Sequence, residues 1–212
     1  MSKFIHLHNH SHYSVLDALT TPEELVIAAK ADDQTAIALT DHGVLFGLME
    51  FQKVANKHNV KPIFGMEAYI AEGSRFNKVQ TDKLKQHKNY YHLILLAKDL
   101  IGYKNLVKLT SYAHTEGFYY RPRIDKELLE KHKDGLIATS ACLGGVVSSH
   151  LVSGNYTRAL NEAKYYQDLF GDDFYLELQN HNYEEDKIIL RDVPKISQEL
   201  GIKLIATNDI HY

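Results

Sequence analysis

Short apolar runs alternate along the 212-residue chain with stretches in which apolar residues recur every three or four positions. FIHLH, AIALTDHG, KPIFGMEAYIA, HLILLAKD, LIATSAC, FYLELQNH and KLIATNDIHY read as seven strands. TPEELVIAAKAD predicts a helix with Thr21 as N-cap, Pro22 in the first turn and Glu24 completing a capping box. GLMEFQKVANKHN places Leu48, Phe51, Val54 and Ala55 on one helical face, and IGYKNLVKLTSYAHTE is a further helix. A short helix opens at Asp125. A helical region from about Gly145 to Phe170 breaks near Ser153 and Gly154, and in NYEEDKIILRDVPKISQELG Pro194 predicts a kink or restart. Nearly continuous apolar strands in βα alternation predict a parallel sheet covered by helices.

One long polar stretch, AEGSRFNKVQTDKLKQHKNYY, interrupts the alternation and carries Arg75, Lys78, Lys83, Lys85 and Lys88. It reads either as a basic flap over one end of the sheet or as a solvated surface loop.

Composition narrows the class. The length suits one domain with a substantial core. No apolar run is long enough to span a bilayer, and MSKFIHLHNH has no signal-peptide core, so a cytoplasmic protein with no membrane partner is expected. A single cysteine excludes an intrachain disulfide. The net charge of −3 argues against holding nucleic acid through the overall field, so any phosphate must be gripped locally.

Thirteen histidines are the anomaly. His58, His87, His132 and His150 lie in polar surroundings and read as surface residues. Others stand where strands should end: His8 and His10 in HLHNH, His42 in LTDHG, and His211 in NDIHY, which repeats the i, i+2 spacing with Asp209. His6 reads as a core histidine or a donor behind the site. Asp41 either orients His42 or caps the next helix, and Gly43 permits a sharp turn. Asp17 follows the first strand, Glu67 lies in an apolar run where an unpaired carboxylate is costly, His92 opens a strand, and Cys142 ends one. A small buried cysteine is the usual explanation for such a residue, but its position matches the others and favours a thiolate ligand.

So many strand ends can face one point only in a ring, which favours a closed barrel over an open sheet. Mixed nitrogen, oxygen and sulfur donors of this number suit about two or three divalent ions. Three carboxylates and a thiolate would leave three such ions with a local excess of about two positive charges, which suits a phosphate ester. Imidazole and thiolate admit zinc or iron, and carboxylates admit manganese. No Ser-His-Asp triad or phosphate-binding GxxxxGK[ST] loop competes.

At these residues the chain resembles the PHP (polymerase and histidinol phosphatase) superfamily, from FIHLHNHSHYSVLD to ATNDIHY. TDHGVLFGLMEFQKVA, KPIFGMEAYIA, EGFYYRPRID and LELQNH resemble its polymerase branch, the PHP domains at the N-terminus of bacterial DNA polymerase III alpha subunits. The resemblance implies a distorted seven-stranded, TIM-like (β/α) barrel as a single domain over residues 1–212. It implies metal binding by His8, His10, Asp17, His42, Glu67, His92, Cys142, Asp209 and His211, with His8, His10, Asp17, Asp209 and His211 catalytic. It implies 3′→5′ exonuclease proofreading on a DNA 3′ end, or a metal-binding structural module with little turnover, or a small-molecule phosphomonoesterase of the histidinol-phosphatase type. Ala18 stands where the family usually has glycine. Arg75, Lys78, Arg121 and Arg123 are candidates to hold DNA phosphate, with Tyr119 and Tyr120 stacking on bases; packing of their loop against the barrel is the equal alternative. A penultimate ligand is unusual because chain ends fray. A longer polymerase chain is therefore expected, whose remainder is a partner and carries the polymerising parts.

Overall fold

A computed structural model describes residues 4–78 and 89–211; Lys83, Lys85, His87 and Lys88 lie outside them. The strands are β1 (Ala36–Leu39), β2 (Lys61–Ala71), β3 (Tyr90–Ala97), β4 (Arg123–Ile124), β5 (Leu136–Thr139), β6 (Phe174–Leu178) and β7 (Lys203–Ala206). The helices are α1 (Pro22–Ala31), α2 (Leu48–Lys57), α3 (Leu100–Thr115), α4 (Lys126–Lys131), α5 (Val146–Val152), α6 (Tyr156–Phe170) and α7 (Glu184–Leu200). The Thr21–Glu24 capping box, the buried face of α2, the Asp125 cap and the α5/α6 break all form as the residue pattern dictates. Pro194 lies inside α7, which continues through it to Leu200.

The sheet is curled in the order β1-β2-β3-β5-β6-β7, with β4 paired to the far end of β2. FIHLH is not a regular strand. Residues 6–10 instead join the two sheet edges: His6 and Asn9 carbonyls accept from Ala38 and Thr40, and His8 and His10 exchange backbone bonds with Ile210. This segment thereby completes a distorted seven-stave, TIM-like barrel.

The sheet is mixed rather than parallel, since β3 runs antiparallel to both β2 and β5. A parallel pair needs a crossover long enough to return the chain to the same end. The polar stretch between β2 and β3 has no helical apolar period, so β3 re-enters from the end that β2 left.

The main core lies between the outer sheet face and α3 to α7, around Leu95, Leu106, Leu109, Leu151, Tyr166 and Val193. A second cluster packs α1 and α2 on β1 through Val26, Leu39 and Phe51. His150, expected on the surface, is buried beside Tyr91, whereas His58 and His132 are half-buried.

Of the arginines that were candidates to hold DNA phosphate, two take the alternative reading and pack inside the fold. Arg123 is 2% exposed and donates to the carbonyls of Gly117, Arg75 and Asn77. Arg75 is buried against Asp125 and Glu116. Together they pin the segment leaving β2 to the loop before β4. Replacing Arg123 with Met should strand three carbonyls and lower unfolding free energy by about 2–4 kcal/mol, measured by urea denaturation.

Candidate metal centre

Each candidate ligand is carried to the same end of the barrel by a different local device. His42 follows β1 and bridges to Glu67 on β2. Gly43 turns the chain there at φ 65°, and an added Cβ would meet the Pro122 ring at 2.7 Å. His92 stands near the start of β3, and the antiparallel direction of that strand puts its start beside the other strands' ends. Asp209 (φ 50°) is itself left-handed, and Leu16 (φ 65°) and Ala141 (φ 59°) are so immediately before Asp17 and Cys142. Such conformations cost on the order of 1 kcal/mol each and persist where the surroundings impose them.

Eight of the nine residues fall into three overlapping groups of close ligand atoms: His10, Asp17, His42 and His211; His8, His10, Glu67 and Asp209; His42, Glu67 and His92. Cys142 adjoins the third group, its Sγ 3.6 Å from both Glu67 Oε1 and His92 Nδ1. Glu67 is the hub. Its Oε2 lies 3.2 Å from His8 Nε2, 2.9 Å from His10 Nε2 and 3.2 Å from His42 Nδ1, and its Oε1 lies 2.8 Å from His92 Nδ1. Asp209 Oδ1 is 3.0 Å from His8 and 3.2 Å from His10, while Asp17 Oδ2 is 3.1 Å from His42 and 2.9 Å from His211. The His10 ring is stacked between those of His42 and His211.

The chemistry of the set fits cations. His10 Nε2, His42 Nδ1, Asp17 Oδ2 and Asp209 Oδ1 are buried, crowd other ligand atoms at about 3 Å, and have no hydrogen-bond partner. Unshared lone pairs converging on one another are repulsive unless a cation lies between them.

Protons can fill that role only in part. Burial opposes charge on His8 and His10, yet Glu67 and Asp209 overcome it, raising His8 well above the ordinary imidazole range and His10 to about 9. Burial, with His10 and His92 beside it, pushes His42 down to about 4. Glu67 is held well below the carboxylate range despite burial, chiefly by His92, His8 and His42, and Asp209 is lowered by His8 and His10. Burial and the neighbouring carboxylates push the Cys142 thiol up, so it stays protonated without a metal.

Behind the ligands stand Glu177, Thr139, Thr207, Gln179, Ser11 and Ser14, which the sequence reading did not single out, and Asp41, which it did. Glu177, buried on β6, accepts from His8 Nδ1 at 2.9 Å, from the Thr139 and Thr207 hydroxyls, and from Gln179 at 3.2 Å. Asp41 neither orients His42 nor caps a helix. It accepts from the Ser11 N–H and hydroxyl and from Ser14, whose Oγ meets His10 Nδ1 at 3.2 Å. His6 faces away, lining a cavity against α1 with Leu25 and Ala28.

The barrel with this centre at its mouth matches a family model, the PHP domain, over residues 6–181. The chain belongs to the PHP domain family. It is 51% identical over its whole length to the DNA polymerase III subunit alpha of Borreliella burgdorferi and 47% identical to that of Aquifex aeolicus. It spans 18% of the length of each of these relatives. Among solved structures, a candidate metal-dependent phosphoesterase from Bifidobacterium adolescentis superposes with a TM-score of 0.62 at 14% identity, covering 100% of this chain and 89% of that one. An amidohydrolase from Chromobacterium violaceum gives 0.55 at 16% identity over 98% of this chain and 87% of its own. Both likenesses are of fold. Among the described residues, no helix of this PHP domain is long and apolar enough to cross a membrane.

Linkage gives the sign of a pH effect. A histidine whose folded pKa is raised stabilises fully below its unfolded value near 6.5 and loses that contribution as pH rises through the folded value. For metal-free protein the window set by His10 is therefore about 6.5 to 9. The melting temperature of chelated protein should fall across it, while divalent-ion affinity rises because fewer protons compete. Differential scanning fluorimetry with and without chelator measures both.

Proposed function

We propose that this PHP domain is a metal-dependent phosphodiesterase that removes nucleotides from a DNA 3′ end. The carrying observation is the convergence of eight ligand residues into three overlapping groups with unpartnered atoms between them. An imidazole nitrogen has one lone pair for one ion, whereas carboxylates can bridge. Five histidines, Cys142 and three carboxylates that can bridge would offer about twelve bonds, enough for three four-coordinate ions. Bound ions of this kind supply an acidified water and steady the attacking and leaving oxygens at phosphorus.

The chain's own residues do the rest. His8, His10, Asp17, Asp209 and His211 hold the centre and set its shape. Glu67 ties the groups together. Arg121 stands exposed at the mouth, its guanidinium 5.7 Å from the Tyr69 ring centre, and Tyr69 stacks on His42. In this reading it holds a phosphate oxygen, with exposed Tyr120 and Lys78 available to the rest of a strand. Arg75 and Arg123, committed inside the fold, have no part in this.

In this reading the domain belongs to a longer replicative polymerase working in the cytoplasm, and the remainder of that polypeptide is its first partner. High identity to polymerase alpha subunits favours a nucleotide chain over a small phosphomonoester. One feature favours the second reading, a metal-stabilised interaction module. The opposite end of the barrel opens into an apolar cavity of about 870 Å³ lined by Leu7, Ile63, Phe64, Leu96 and Leu100, with Leu100 largely exposed.

His8→Ala and Asp209→Asn should keep the fold by circular dichroism, lose bound metal by elemental analysis, and release 3′ nucleotides from a labelled single-stranded oligonucleotide more than about 100-fold more slowly. Full metal content in both variants would remove these residues from the centre. Metal loss without any wild-type nucleotide release would leave the interaction module. Preference for a simple phosphomonoester would point to the phosphatase. Arg121→Ala should raise KM for the oligonucleotide about tenfold, the loss of one charge-assisted phosphate contact, with metal content unchanged.

A further inference from the structure

Glu177 is a carboxylate sealed in the barrel wall, outside the three ligand groups but in contact with His8 of one of them. Both its oxygens are engaged. Oε1 meets His8 Nδ1, the Thr207 hydroxyl and the Gln179 amide, and Oε2 meets the Thr139 hydroxyl. These partners come from the strand-like segment at residues 6–10, from β5, from β6's own end and from the segment after β7, so the carboxylate is fixed by almost half the ring. Two hydroxyls and an amide NH2 donate to it, and an ionised carboxylate can only accept from His8 as well. The proton of the neutral His8 ring must then sit on Nδ1. The Nε2 lone pair is left facing Glu67 and Asp209, at 3.2 and 3.0 Å.

His8, like His92 and His211, belongs to a single ligand group, and its group is the most deeply buried. We infer that Glu177 is a positioning residue that fixes the ring orientation and tautomer of His8 and so governs occupancy of one metal position, that of His8, His10, Glu67 and Asp209, without governing the others. The histidines of the other positions have different supports. His10 leans on Ser14 and Asp41, and His211 Nδ1 donates to the Asp209 carbonyl at 2.9 Å.

This inference rests on the reading of the centre as a metal site, and the two fail separately. The test is Glu177→Gln in the 212-residue chain, titrated with Zn2+ and with Mn2+ by calorimetry, with elemental analysis after dialysis. Imidazole nitrogen shifts by NMR report the His8 tautomer. The expected result is a 10–100-fold loss of affinity for one equivalent of metal, a mixed tautomer at His8, and unchanged affinity for the remaining equivalents. Thr207→Val and Thr139→Val keep the carboxylate and should weaken the same equivalent by less, so they serve if the Gln variant does not fold. Unchanged stoichiometry and affinity in all variants overturns the positioning role. So does a uniform loss of every equivalent together with a lower melting temperature in chelator, which would mark Glu177 as a plain structural contact. Failure of the wild-type chain to bind either ion overturns the metal centre itself.

Discussion

Everything at the mouth of this barrel depends on one carboxylate with no access to water. Glu67 is fully buried, and an isolated buried anion costs several kcal/mol. It is tolerated because four imidazoles, from the segment at residues 6–10, the end of β1 and the start of β3, turn their nitrogens on its two oxygens. Left-handed backbone at Leu16, Ala141 and Asp209, beyond the strands, brings Asp17, Cys142 and Asp209 to the cluster.

The clustering of these side chains was legible in the sequence because it uses residue types that are rare inside apolar strands, most of them near strand ends. The direction of β3 was not legible from apolar character alone, since a buried strand reads the same either way. One clue was available. His92 opens its strand while the other ligands close theirs, and a residue at the start of a strand reaches the ligand end only if that strand is reversed. The first strand was misread for a related reason: FIHLH has strand composition but serves as a seam, with backbone bonds shared between β1 and Ile210.

The residues behind the ligands show where reading by position runs out. Glu177 in FYLELQNH is, like Glu67, a carboxylate in an apolar run, and it went unread because its partner, His8, lies across the ring, 169 residues away in the chain. The arginines show the converse. Arg75, Arg121 and Arg123 look alike in sequence, and only tertiary packing separates two buried guanidiniums bonded to carboxylates and carbonyls from one left at the mouth.

A gradient of burial across the centre divides its labour. The side chains of His8 and Glu67 have essentially no exposure, whereas His42, His211 and Asp17 are 15%, 26% and 39% exposed. Coulombic coupling strengthens as water is excluded, so the inner group is the more tightly organised and the less accessible to a substrate. The outer group, around Asp17 and His211, is the part of the cluster open to solvent. Glu177 braces the inner group from behind, through His8, while Asp41 and Ser14 brace His10, the residue shared by both groups. On this geometry the inner group is the sealed part of the cluster and the outer group the part that solvent reaches, and Glu67 and His10 couple the two.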